Sequence, residues 1–93
     1  MNEQAEYRIL VRAIDTYGPD AQLKMVLEEM SELQKEICKF WQGKDNKGQI
    51  AEEVADVEIM LKQVRMIFGI DQDTDYLKKQ KLLRLMKRLD TGE

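Results

Sequence analysis

The sequence predicts an all-α protein, and three observations lead there. Apolar residues recur at spacings of three and four through four consecutive stretches, near the 100° per residue of an α-helix. Glycine, proline and asparagine, which interrupt helices, fall between these stretches or at the chain ends. Alternation of apolar and polar residues never runs beyond a few positions, so no strand is expected. A chain of 93 residues and 11.0 kDa has room for one core, so residues 1–93 are read as a single domain. That core would be thin. The expected architecture is therefore a four-helix hairpin or bundle completed by oligomerisation, as a homodimer or homotetramer.

The first helix carries Tyr7, Leu10, Ile14 and Tyr17 on one face and ends where Gly18 and Pro19 break the pattern. Asp20 is the expected cap of the second, over 21 to about 41, with Leu23, Val26, Met30, Leu33, Ile37 and Trp41 as its apolar stripe. Residues 42–48 form a polar loop bounded by Gly43 and Gly48. The third helix, about 49–68, carries Ile50, Val54, Val57, Leu61, Val64 and Phe68, and Gly69 closes it in a left-handed conformation. Asp71, Asp73, Thr74 and Asp75 offer caps for a last helix that ends near Leu89, with Leu82, Leu85, Met86 and Leu89 on its apolar side.

Composition then narrows the chemistry. The chain has no histidine, which removes the Ser-His-Asp and Cys-His nucleophile pairs and mixed His/Cys zinc sites. Its one cysteine, Cys38, makes no intrachain disulfide and is expected to be a small buried or half-buried residue. No signal-type start and no run of eighteen apolar residues is present, so a soluble, cytoplasmic protein without a membrane partner is expected. What remains is chemistry run on carboxylates, supported by Lys and Arg.

Eighteen acids are present, and their positions on the helical wheel separate them. Glu28 projects opposite the apolar stripe and is expected to pair with Lys24 at i, i+4. Glu29, Glu32 and Glu36 instead line a strip flanking the stripe. On the third helix Glu53 and Asp56 share a strip with Met60 and Ile67, beside the Val54/Val57/Leu61 stripe. Two i, i+3 carboxylate pairs result, Glu29 with Glu32 and Glu53 with Asp56, and an antiparallel hairpin would let them converge. Carboxylates brought together repel and need bases or a cation. Lys35 and Lys39 are expected on the solvent side, and neither Lys62 nor Arg65 falls on the Glu53/Asp56 strip. The arrangement favours a metal, and an all-oxygen set suits hard Mg²⁺, with Mn²⁺ as its substitute. Mg²⁺ commonly shares its coordination with phosphates, which implies a phosphate ester or polyphosphate ligand.

Glu28-Glu29-Met30-Ser31-Glu32 followed by Glu52-Glu53-Val54-Ala55-Asp56 resembles the paired EExxE and EExxD motifs of the MazG-like nucleotide pyrophosphohydrolases, an all-α superfamily. The resemblance covers about 23–64, and Lys81-Leu82-Leu83-Arg84-Leu85 is similar to the ending of short single-domain phage and bacterial members. It implies Mg²⁺ ligands at Glu29, Glu32, Glu53 and Asp56, and hydrolysis of a nucleoside or deoxynucleoside triphosphate to the monophosphate and pyrophosphate. The general base is expected to be Glu29 or Glu32, with Glu28 and Glu36 in supporting positions. Two alternatives stand beside it: phosphoribosyl-ATP pyrophosphohydrolase, whose usual N-terminal stretch is not seen here, and a non-enzymatic helical oligomerisation or regulatory module.

Six bases and no acid lie within 78–88, which leaves nine bases against eighteen acids elsewhere. Lys78 and Lys81 border the Leu82/Leu85 stripe and are the candidates for contacting substrate phosphates. The basic helix can equally pair with the acidic surface of the chain or of another subunit. Nucleic acid is not an expected partner, because net charge is −3 and no nucleic-acid-binding motif is present. The 43–48 loop lacks the GxxxxGK[ST] pattern and reads as a hairpin turn. Phe40 and Trp41 are expected in the core or at a subunit interface.

Overall fold

The computed structural model describes residues 1–92, which hold four helices: α1 (Glu3–Tyr17), α2 (Pro19–Trp41), α3 (Lys47–Phe68) and α4 (Asp71–Thr91). The all-α expectation is met. Each boundary has a local cause. Asn2 caps α1, its side-chain oxygen accepting from the Ala5 N–H at 2.8 Å. Asp20 does not cap α2, because the helix starts earlier, at Pro19. Proline's fixed φ and missing N–H suit the first helical position, and Gly18 at φ 88° makes the turn before it. Gly69 closes α3 at φ 63°, with the Ile70 N–H donating to the Arg65 carbonyl at 2.9 Å. The aspartates after it are inside α4, where Asp71 and Asp73 occupy the first turn and face the positive end of the helix dipole.

The body of the molecule is the antiparallel hairpin of α2 and α3, with α1 packed on both. α4 leans on α3 alone. At the open end of the hairpin, Gln22 Nε2 donates to Gln63 Oε1 at 2.7 Å, and both side chains are buried. At the loop end, Asn46 Nδ2 donates to the Glu36 carbonyl at 2.8 Å. These contacts set the register that brings Glu29 opposite Asp56.

The apolar stripes do not become a core within one chain. Among the described residues the buried hydrophobic side chains are Val26, Val57 and Met60. Leu82, Leu85, Met86 and Leu89 on α4 are all exposed, as are Tyr7, Tyr17, Met30, Ile37 and Phe40, and Trp41 is 84% exposed. Cys38 is exposed as well, against expectation, because it lies at the margin of the stripe. The radius of gyration is 16.3 Å, where a closely packed domain of this length would have about 12 Å. The helices are amphipathic, but one hairpin has too few facing surfaces to cover four of them.

Candidate metal centre

α2 and α3 run antiparallel, so the strips flanking their buried faces meet along one edge of the hairpin. Glu29 from α2 and Glu53 and Asp56 from α3 each bring a carboxylate oxygen within 4.8 Å of the others. Glu29 and Glu53 are half-buried and Asp56 is exposed, so the cluster is seated in the hairpin and opens to solvent on one side. Glu32 lies one turn along α2, exposed and outside this trio. Its charge still reaches Glu29 and Glu53.

The electrostatics follow from that geometry. Partial burial pushes the Glu29 carboxyl above its ordinary value, reinforced by the nearby carboxylates of Asp56, Glu53 and Glu32. Glu53 is also raised, first by burial and then by Asp56, Glu32, Glu36 and Glu52. One oxygen of Glu53, Oε2, is buried with no hydrogen-bond partner. Among the described residues no Lys or Arg pairs with the trio. A buried carboxylate oxygen without a donor is costly, and a divalent cation is the partner that such an all-oxygen cluster fits.

Glu36 belongs to a different arrangement. It is buried, bonded to Lys39 at 3.1 Å, and its Oε1 accepts from Asn46 Nδ2 at 3.3 Å. These bonds, Lys39 first, hold its carboxyl below the ordinary range. Lys39 was expected on the solvent side, but its long stem folds back along one helical turn to reach Glu36. Glu36 is thus a structural acid, and the trio keeps its charges uncompensated. The expected Glu28–Lys24 pair does not form: both side chains are exposed, and among the described residues neither has an ionic partner. Such a surface pair contributes little against the entropy of two long side chains.

Lys62 and Arg65 stay off the acidic strip, as their wheel positions require. They tie α3 to α4 instead, Lys62 to Asp71 at 3.1 Å and Arg65 to Asp71 at 3.2 Å and Asp75 at 2.6 Å. A cleft of about 340 Å³ at this corner, lined by Tyr7, Lys62, Arg65, Met66 and Asp71 among others, contains none of the clustered acids. Lys78 and Lys81 are exposed on α4, which does not touch α2, so one chain does not bring them to Glu29.

Three polar residues escaped the sequence reading: Asn46, which is 1% exposed, Gln63 at 2%, and Gln22. Asn46 lay in a polar loop and looked solvated. Its only available signal was its place just before a helix start, and it makes no side-chain cap there. Gln22 and Gln63 flank apolar stripes exactly as solvated residues do, and only the pairing of the two helices buries them.

No protein-family model, curated protein or solved structure matches the chain. What the fold and this cluster define is an all-α protein with a histidine-free carboxylate cluster on a helical hairpin.

Proposed function

We propose that the chain is a Mg²⁺-dependent nucleotide pyrophosphohydrolase of the MazG-like kind, converting a nucleoside or deoxynucleoside triphosphate to the monophosphate and pyrophosphate. The observation that carries this reading is the convergence of Glu29, Glu53 and Asp56 within 4.8 Å without a base among them. The buried, unpartnered Oε2 of Glu53 supports it.

Glu29, Glu53 and Asp56 are the residues that would hold Mg²⁺. When bound, the cation supplies charge neutralisation at the phosphates and at the leaving pyrophosphate. Glu32 is exposed and stands outside the trio, which leaves it free as a proton acceptor. In that role its carboxylate takes the proton from a water whose oxygen bonds to the α-phosphorus, while the bond from that phosphorus to the bridging oxygen breaks and releases pyrophosphate.

The open side of the cluster, where Asp56 is exposed, gives a polyphosphate access from solvent. Lys78 and Lys81 remain candidates for its outer phosphates only if α4 of another copy carries them there. A panel of NTPs and dNTPs with Mg²⁺, scored for pyrophosphate against orthophosphate, tests the reading. Pyrophosphate release from at least one of them is expected, and none from any would overturn it.

A further inference from the structure

The acidic strip of α2 ends in bases. Taking the helical period, Glu29, Glu32, Glu36 and Lys39 lie within about 80° of one another and follow one edge toward the loop. Lys35, by contrast, points about 120° away from Glu29 and is exposed. Lys39 is fixed in place: its Nζ holds Glu36 at 3.1 Å while its side chain stays 35% exposed. After Trp41 the chain turns back through Gly43 at φ 97°, and the Lys44 N–H donates to the Lys39 carbonyl at 3.1 Å. That turn returns Lys44 to the same end of the strip, near enough for its charge to act on Glu36. Lys44 is exposed and, among the described residues, has no ionic partner.

We propose that Lys39 and Lys44 bind the outer phosphates of a polyphosphate whose inner phosphate sits at the Glu29/Glu53/Asp56 cation site, so that this edge selects a chain of phosphates over a single one. The inference rests on the hydrolase reading for the identity of the anion. It supplies bases that one chain otherwise lacks there: Lys62 and Arg65 are tied to α4, and Lys78 and Lys81 lie on a helix that does not touch α2. The spacing fits. Glu53, three positions before Asp56 on the antiparallel helix, carries the cation site one turn toward the loop. Lys39 lies seven positions beyond Glu32, about 10 Å along the axis, a span that an extended triphosphate and a lysine stem cover together.

The chemistry of this end suits an anion. An ammonium has three donors, and Glu36 leaves the others on Lys39 free for phosphate oxygens. Glu36 is itself pinned by Asn46 Nδ2 at 3.3 Å, which keeps the lysine stem on the strip. The α2 carbonyls of Cys38, Lys39 and Phe40 already accept from the N–H groups of Gln42, Gly43 and Lys44, so this helix end offers an anion little free negative charge. α3 begins beside it with no acid in its first turn, and its positive end adds to the field. Asp45, the one acid of the loop, is exposed and among the described residues pairs with neither lysine. A single phosphate would occupy the cation and leave both lysines unused.

Isothermal titration of the full chain with tripolyphosphate, pyrophosphate and orthophosphate in excess Mg²⁺ tests it, beside titration with Mg²⁺ alone. The wild type is expected to bind tripolyphosphate most tightly and orthophosphate most weakly. Lys39→Gln and Lys44→Gln should each weaken tripolyphosphate about tenfold, the loss of one hydrogen bond to a charged group. Neither should weaken Mg²⁺ alone, because each removes a positive charge near the acids. If Lys39 served only to hold Glu36, Lys39→Gln would weaken Mg²⁺ and leave the order of chain lengths intact, which would overturn the assignment. Lys39→Arg should keep the wild-type order, and Lys35→Gln, which removes the same charge from the far side, should change neither affinity. Unchanged tripolyphosphate affinity in both glutamine variants, or a wild type that binds the three phosphates alike, would also overturn it. Pyrophosphate release from nucleotides is read separately. Lysine-dependent tripolyphosphate binding with no such release upholds this site and removes the hydrolase reading; release with KM unchanged in both glutamine variants does the reverse.

Discussion

Glu29 and Asp56 meet across the α2–α3 hairpin carboxylate to carboxylate, their oxygens within 4.8 Å, with Glu53 as the third corner. Like charges this close raise one another's proton affinity unless something positive intervenes. The hairpin supplies nothing positive there, although Lys39, two turns beyond Glu32, does find Glu36. The fold therefore holds a concentrated negative charge at one edge, and the consequences are measurable.

Removing a charge from the trio is expected to separate activity from stability. Glu53→Gln and Asp56→Asn should lower pyrophosphate release by more than the roughly 100-fold that loss of an outer-shell partner costs. The same variants should be at least as resistant to denaturant as the wild type in the absence of divalent cation, because the mutual repulsion falls. Full Mg²⁺-dependent activity in both would sink the site.

Divalent cation should stabilise the wild type. Binding to the folded state alone contributes about 2.7 kcal/mol at a hundred times the dissociation constant, and each kcal/mol raises the Tm of a domain this size by roughly 4–8 °C. Thermal unfolding with Mg²⁺ against excess chelator measures the shift. Glu53→Gln and Asp56→Asn should show little of it, and an equal shift in these variants would place the cation elsewhere.

The pH profile of the metal-free chain carries a sign. Glu29 and Glu53 have folded pKa values raised above 4.5, so the folded state binds more protons than the unfolded state between 4.5 and those raised values. Stability from these groups is fully present below 4.5 and is lost as pH rises through the folded values. Glu36 and Asp71 act in the opposite sense. Their folded values lie below 4.5 and 3.8, so their contribution is present above those pH values and lost as pH falls through the folded ones. Denaturant midpoints across this range should fall less steeply above 4.5 in Glu53→Gln than in the wild type, and parallel profiles would refute the coupling.

Asn46→Ala should destabilise the chain by about 1–3 kcal/mol, the usual cost of leaving a buried group without its partner. The loss includes the 2.8 Å bond to the Glu36 carbonyl and the support of the Glu36 carboxylate. Asp71→Asn, by comparison, removes ion pairs from a side chain 47% exposed and should cost less than the loss of Asn46, because solvent screens exposed pairs. Chemical denaturation of the two variants side by side would show the ordering, and a larger loss in Asp71→Asn would reverse the assignment of which joint holds the fold.

The sequence alone determined the number of helices, their approximate ends and the flanking position of Glu29, Glu32, Glu53 and Asp56, because each depends on neighbours within a turn or two. The left-handed closure at Gly69 was legible for the same reason, glycine being the residue that adopts it without strain. The tertiary structure decided what depends on register between helices. It chose Glu29, Glu53 and Asp56 as the trio and set Glu32 aside. It also withdrew Glu36 into a bonded pair with Lys39 and buried Asn46, Gln22 and Gln63. And it left the apolar stripes of α2, α3 and α4 largely uncovered. Wheel periodicity reports that a face is apolar, but burial depends on whether another surface is there to meet it.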